Sequence, residues 1–253
     1  MGDEGLKGEV KDYWEQEPCG SGVAQSARYS REYFDEIEEN RYRLEPFIHQ
    51  FAQFTRKRGK KVLEIGVGSG TDHLQFARAG AVLSGIDLTD AAVEMVARRL
   101  ALEGLSSDLR RSDAENLPFA DDTFDCVYSW GVLHHTPDTE KSITEVYRVC
   151  KPGGSVCIML YHRYSLLVLQ LWVLHGLLKA RPFRSFKDVL VHHMESIGTK
   201  AYSRKEASEL FHKFRDVTVV PVLTPHDTNR IPGFIAKYIP QSCGWFLVIQ
   251  AVK

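Results

Sequence analysis

The residues from Val62 to Gly70 read Val-Leu-Glu-Ile-Gly-Val-Gly-Ser-Gly, a short apolar run that ends in three alternating glycines. A strand closed by such glycines turns sharply, and its backbone can approach a ligand with no Cβ in the way. A following helix points its first N–H groups at that turn, which suits a phosphate or a carboxylate. The spacing is G-x-G-x-G. The sixth position counted from Gly66 is Thr71 and from Gly68 is His73, so the dinucleotide pattern G-x-G-x-x-G is not met. Glu64 adds a carboxylate two residues before the first glycine, which is awkward for a pyrophosphate and favourable for a cationic ligand. Further along, His134 and His135 follow another apolar run, and Tyr161 and His162 close the next one. Imidazole titrates near neutral pH and can take a proton from a reacting group. His192 and His193 could suggest a metal, but no third ligand stands at a recognisable spacing, so no metal is expected.

These residues need a scaffold. Strand-like runs at 61–65, 81–86, 124–129 and 155–160 alternate with helical patterns at 72–79, 90–103 and 138–150, the last closed by Lys151-Pro152-Gly153-Gly154. Such alternation implies a parallel sheet with helices on both faces. Before it, helices are expected at 7–16 and 29–38, and a third running to Arg58 with Leu44, Phe47, Ile48, Phe51 and Phe54 on one face and Pro46 in its first turn. After Tyr161 some fifty residues of helical pattern intervene, and Ser203 with Glu206 forms a capping-box sequence that should open a helix to about Phe214. Two β-rich runs, 216–223 and 245–252, suit an antiparallel closing addition to the sheet. One domain over 1–253 is expected: a helical lid at 1–58, a ligand-binding core at 59–160, a helical insertion at 161–214 and closing strands at 215–253.

S-adenosylmethionine carries a sulfonium, an ammonium and a carboxylate, and so matches both the glycine turn and Glu64. At this point the chain resembles the class I S-adenosylmethionine-dependent methyltransferases, most of all the methyltransferase type 11, ubiquinone/menaquinone methylase-like group. The resemblance covers about 61–160 and rests on Val62 to Gly70, Gly85-Ile86-Asp87, the run from Ser112 to Phe119, Phe124-Asp125, Val132-Leu133-His134-His135 and the run from Arg148 to Gly154, in the family's order. It implies a Rossmann-like seven-stranded sheet, mostly parallel with an antiparallel last strand. It also implies roles: Gly66, Gly68 and Gly70 along the methionyl part of the cofactor, Glu64 near its ammonium, Asp87 accepting from the ribose hydroxyls, Leu88 beside the adenine, Asp113 and the Ala114 backbone on the adenine edge, and Trp130 beside the sulfonium. Glu115 reads as a surface carboxylate.

Methyl transfer is an in-line displacement, governed by how nucleophile, methyl and sulfur are positioned. His134, His135, Tyr161 and His162 are the catalytic candidates; for the two histidines of the pair a structural role stands beside that of a base. Glu195, Thr199 and Tyr202 lie in a polar loop expected at the mouth of the acceptor site. Tyr13, Trp14, Tyr29 and Tyr33 lie in the N-terminal segment, which folds over the cofactor in relatives, so Tyr13, Tyr29 and Tyr33 are acceptor-side candidates beside ordinary packing.

Lys+Arg 32 against Asp+Glu 33 gives a formal net charge of −1, which argues against a general nucleic-acid binder. The stretch Ser129-Trp130-Gly131-Val132-Leu133-His134 also lacks the Pro-Pro of base-amino methylases. The five cysteines, Cys19, Cys126, Cys150, Cys157 and Cys243, form no C-x-x-C pair and read as reduced thiols, and with no secretory signal this points to the cytoplasm. The apolar stretch 164–178 is too short to span a bilayer and carries Ser165, Gln170 and His175; it reads as a buried or interfacial helix. The expected partner is a small, weakly polar methyl acceptor such as a thiol or phenol. Two alternatives remain open: a lipid or isoprenoid acceptor met at a membrane through 164–187, and a cofactor-binding sensor without turnover. Nothing in the sequence sets an oligomeric state.

Overall fold

The computed structural model describes residues 3–179, 181, 183, 185–193 and 198–253. Three helices come first: α1 (Asp3–Gln16), α2 (Arg31–Leu44) and α3 (Ile48–Ala52). The Ser30 hydroxyl caps α2 by accepting from the Tyr33 N–H. The expected continuous third helix is instead broken twice. Pro46 disfavours helical backbone at Glu45, which ends α2 in an open conformation, and Gln53 turns left-handed before a short 3-10 turn at Phe54–Lys57. The apolar stripe still packs inward, with Ile48, Ala52 and Phe54 buried.

The sheet then builds by alternation: β1 (Lys61–Ile65), α4 (Thr71–Arg78), β2 (Val82–Asp87), α5 (Asp90–Ala101), β3 (Asp108–Arg111), β4 (Phe124–Trp130), α6 (Thr139–Val149) and β5 (Cys150–Tyr161). Thr89 and Asp138 cap α5 and α6 through their side chains. β3 has no counterpart among the expected strands. It reads Asp-Leu-Arg-Arg, an edge strand with hardly a buried residue, so it carries no apolar signal. β5 starts earlier than expected because Lys151 to Gly154 continue the strand past an irregularity opposite Phe124 and Cys126.

After β5 come α7 (Leu166–His175), α8 (Phe186–His193) and α9 (Arg204–Leu210), the last opened by the full capping box of Ser203 and Glu206. β6 (Arg215–Val222), α10 (Pro225–Thr228), α11 (Gly233–Ala236) and β7 (Phe246–Val252) complete the chain. The strand order is β3-β2-β1-β4-β5-β7-β6. β1 to β5 are parallel, and β7 runs antiparallel to both of its neighbours. The chain is therefore the mostly parallel α/β sheet expected, with an antiparallel last strand. Two cores flank the sheet, one around Leu63, Val127 and Ile158 under α6 and α9, the other around Val62, Tyr128 and Val248 under α3 and α7. The order of strands reverses between β1 and β4, so a crevice opens beyond their carboxyl ends. α7 has ten residues, and among the described residues no helix is long and apolar enough to cross a membrane.

Candidate functional site

A cavity of about 520 Å³ occupies that crevice, a size usual for small-molecule sites. One half lies over β1 and β2. Gly66 and Gly68 line it with left-handed backbones, φ 79° and 50°. A Cβ on Gly66 would stand 2.2 Å from Val132 Cγ2, so the turn and the loop after β4 touch with no room for a side chain. Gly70 serves underneath: it starts α4 and packs on Val96 rather than lining the cavity. Arg99, buried in α5, donates to the Ser69 carbonyl and the Thr71 hydroxyl and reaches Glu38 and the Phe34 carbonyl, which fixes the glycine turn to α2.

Asp87 ends β2 at the cavity. Its Oδ2 accepts the Gly68 N–H at 3.1 Å, and its Oδ1 accepts the Thr89 N–H and hydroxyl at 3.0 and 2.8 Å. Burial pushes this carboxyl up, and those donors oppose it. Leu88, Asp113 and Ala114 also line this half. Asp113 accepts the Glu115 N–H on one oxygen and the Lys7 ammonium, at 2.7 Å, on the other. Lys7 also pairs with Glu115, which is buried rather than on the surface as expected.

Glu64 lines the cavity, and burial weighs against its ionised form. Its Oε2 lies 2.9 Å from His73 Nδ1, and His73 Nε2 lies 2.9 Å from the Ser107 hydroxyl, which itself donates to the Leu83 carbonyl. Ser107 has thus spent its proton, so His73 Nε2–H donates to it and Nδ1 is left to accept. Burial pushes His73 down to about 3 and Glu64 well up, so burial favours the uncharged pair.

The other half lies beyond β4 and β5. Trp130 is held by its Nε1–H, which donates to Glu45 Oε2 at 2.7 Å; Glu45 Oε1 takes Arg41 at 3.2 Å. Arg41 also reaches Asp72, which accepts the Tyr42 and Tyr128 hydroxyls. Met159, Tyr161, Trp245 and Phe246 form an apolar wall, with Tyr161 stacked on Trp245 at 4.2 Å. Leu167 of α7 and the exposed His226 of α10 complete it. Asp227 ties this wall together. Its buried carboxylate accepts N–H groups from Thr224, Trp245 and Leu167, on three separate segments.

Four catalytic candidates divide evenly. His135 and Tyr161 face the cavity. His134 does not: it is fully buried, its ring lies 3.9 Å from that of Tyr161, and neither of its ring nitrogens has a hydrogen-bond partner among the described residues. His162 points away and donates through Nδ1 to the Gly244 carbonyl. Thr199 does not line the cavity either, but its hydroxyl lies 3.0 Å from His135 Nδ1 and orients that ring. Tyr202 packs against the core beside a bridge to His162. Tyr29 and Tyr33 form a separate cluster with Phe34 and Met95, and Tyr13 is exposed beside Trp14. Glu195 lies outside the described residues.

Lys7, Val10 and Trp14 of α1 cover the cavity, followed by Pro18, Cys19 and Gly20. The Glu15 carboxylate accepts the first N–H groups of α5, so α1 is fastened at both ends. The sequence reading missed Lys7, Arg41, Glu45, His226 and Trp245. Only Arg41 and Glu45 carried a signal, an ion pair four apart on a helix.

Burial, with the Lys200 ammonium nearby, pushes His135 down to about 4. The unfolded chain then binds more protons than the folded one between about pH 4 and the ordinary imidazole value of about 6.5, so stability falls as pH drops through that window. The expected loss from this residue is up to about 3 kcal/mol. Urea unfolding of the wild type and His135→Gln across the window checks it: the difference between the two should shrink on acidification.

Over residues 63–158 the chain matches the family model described as a methyltransferase domain. An uncharacterized protein of Mycobacterium tuberculosis is 37% identical over 101 residues, 40% of this chain and 37% of that protein. The phthiotriol/phenolphthiotriol dimycocerosates methyltransferase 1 of Mycobacterium ulcerans is 39% identical over 119 residues, 46% of this chain and 43% of that protein. The chain thus spans less than half the length of these curated relatives. Among solved structures, an S-adenosylmethionine-dependent methyltransferase of Methanosarcina mazei superposes with a TM-score of 0.56 at 23% identity, over 82% of this chain and 97% of that one, which shows the fold. None of the described residues forms a cluster of ligands able to hold a metal ion. Residues 63–158 are thus similar to a methyltransferase domain, and the chain shares the fold of an S-adenosylmethionine-dependent methyltransferase.

Proposed function

We propose that the protein transfers a methyl group from S-adenosylmethionine to a small, weakly polar acceptor, a thiol or phenol in preference to an amine or a sugar. The observation that carries this reading is the division of one cavity into a polar half at the glycine turn and an aromatic half beyond β4 and β5. The polar half fits the cofactor. Gly66 lines that half with a left-handed backbone that closes on Val132 with no side chain between, Asp87 presents a carboxylate at the end of β2, and Asp113 and Ala114 stand beyond Leu88. When bound there, S-adenosylmethionine supplies a methyl on a cationic sulfur.

The chain's own residues do the rest. Trp130, fixed by Glu45, walls the methyl-transfer point, and α1 with Trp14 excludes water. In the aromatic half Arg41 and Glu45 neutralise one another, so the wall offers little to a highly charged acceptor. His135, held by Thr199, is neutral at physiological pH and can accept a proton. Its low affinity for that proton makes it a weak base, which suits a group that ionises readily better than an alcohol. The name of the Mycobacterium ulcerans relative, which gives phthiotriol dimycocerosates as what that enzyme methylates, favours an apolar acceptor too.

The test is release of S-adenosylhomocysteine from S-adenosylmethionine across thiols, phenols, quinols, amines and sugars. Thiols or phenols should exceed amines and sugars by about tenfold or more. Fastest release with sugars or amines, or none with any class, would contradict the reading.

A further inference from the structure

Most of the exposed large apolar side chains among the described residues fall on two short stretches. One runs along α7 and the turn after it, with Leu169, Leu174, Leu178 (69% exposed) and Phe183 (100% exposed). The other is α11 and its end, with Phe234 (71%) and Tyr238 (77%). The stretches are joined. The Leu167 N–H of α7 donates to the Asp227 carboxylate and Gln170 to the Asp227 carbonyl in α10, and α11 follows after residues 229–232.

Apart from Gln170, which bonds the Asp227 carbonyl, and His175 at its end, α7 is apolar on all sides. Val168 and Leu171 are buried and Leu167 lines the cavity, while Leu169 and Leu174 face out. A helix apolar all round has a partner on both sides. The charges nearby point to which partner. Exposed Lys179, Arg181, Arg230 and Lys237 lie on the same stretches. The acidic residues of 164–193 and 225–243 are Asp188, half-buried, and Asp227, buried. Apolar side chains among cations fit anionic headgroups over an acyl layer. They fit a second copy of the chain poorly, because cation would meet cation.

We propose that the outer faces of α7 and α11, with the turn after α7, dock the chain onto an anionic phospholipid bilayer. α7 lies on such a surface and does not cross it. Leu167 of α7 and His226 of α10, which leads into α11, line the aromatic half of the cavity, so docking presents that half to the lipid. An acceptor dissolved in the membrane then has a short apolar route into the site. This last step rests on the methyl-transfer reading; the docking does not.

The experiment is co-sedimentation of the full chain with vesicles of phosphatidylcholine, with and without about a third phosphatidylglycerol, at low and high salt. S-adenosylhomocysteine binding is measured on the same samples by calorimetry. The wild type should bind the anionic vesicles at least about tenfold more tightly than the neutral ones, and more weakly as salt rises. Lys179→Glu with Arg181→Glu should weaken binding on the order of a hundredfold, and Leu178→Ser with Phe183→Ser about tenfold or more. All four positions are exposed, so S-adenosylhomocysteine binding should be unchanged. No sedimentation with anionic vesicles at low salt, or binding that these substitutions leave intact, overturns the docking. So does a wild-type dimer that Leu178→Ser with Phe183→Ser dissociates, which would give the face to a second copy. Vesicle binding without S-adenosylhomocysteine binding overturns the methyl-transfer reading and leaves the docking standing.

Discussion

Gly66→Ala should abolish measurable binding of S-adenosylhomocysteine, with an affinity loss on the order of a hundredfold or more, and destabilise the fold. Two costs add. Gly66 has φ 79°, where a non-glycine residue costs about 1–2 kcal/mol. The new Cβ would also stand 2.2, 2.7 and 2.9 Å from Val132 Cγ2, Cγ1 and Cβ, an overpacking worth about 1–3 kcal/mol. Relief of that overlap moves either the glycine turn or the loop after β4, and both line the cavity. Gly59→Ala separates the two costs. Gly59 has φ 69° with nothing within 4 Å of its would-be Cβ, so it should lose about 1–2 kcal/mol and bind S-adenosylhomocysteine as the wild type does. Val132→Ala in the Gly66→Ala background removes the two Cγ overlaps and should restore part of the stability. Urea unfolding and calorimetry read all three variants.

Asp227→Asn should damage the opposite half of the cavity and spare the first. The Asp227 carboxylate accepts the Thr224 N–H and hydroxyl at 2.9 and 3.1 Å, the Trp245 N–H at 3.0 Å and the Leu167 N–H at 3.3 Å. An amide offers one acceptor and turns two donors towards the rest, so at least one buried N–H loses its partner at about 1–3 kcal/mol. Trp245, Leu167 and the adjacent His226 all line the aromatic half. S-adenosylhomocysteine affinity should stay within about twofold of the wild type, while methyl transfer to the best acceptor falls by about tenfold or more, mainly through KM. A variant that loses cofactor and acceptor binding together would mean that the two halves are not separately built.

The contrast between these two positions shows where the sequence was legible. Gly66 and Asp87 lie within a local order of strand, turn and helix, and nearest-neighbour alternation along the chain is enough to place them on one edge of a parallel sheet, whereas Asp113, after the unexpected β3, was legible only through the family resemblance. Asp227 carries no such signal. Its role arises because β7 returns antiparallel beside β5 and brings Trp245 to a carboxylate eighteen residues earlier. Glu45 and Arg41 carried only the signal of a charge pair four residues apart, which does not place them: the break imposed before Pro46 ends α2 at the cavity. His134 shows the converse. Its type and position suggested chemistry, yet it is its neighbour His135 that reaches the cavity. β3, polar and at the edge, is legible only through its parallel pairing with β2.

Glu64 refines the electrostatics. The sequence places an acid beside the turn, but its protonation depends on His73 and Ser107, which come from α4 and from the loop before β3. A cation entering the cavity therefore meets Glu64, Asp87 and Glu45, all pushed up by burial, with Asp87 and Glu45 held by hydrogen-bond donors.

Calorimetric titration of the wild-type chain with S-adenosylhomocysteine, and separately with NAD, tests the central claim that the glycine turn is a nucleoside-sulfur site. The account predicts one site per chain with a Kd on the order of micromolar for S-adenosylhomocysteine, lost in Gly66→Ala and retained in Asp227→Asn, and no heat with NAD. Binding of NAD in its place, no binding of S-adenosylhomocysteine, or binding that survives Gly66→Ala unchanged would contradict it.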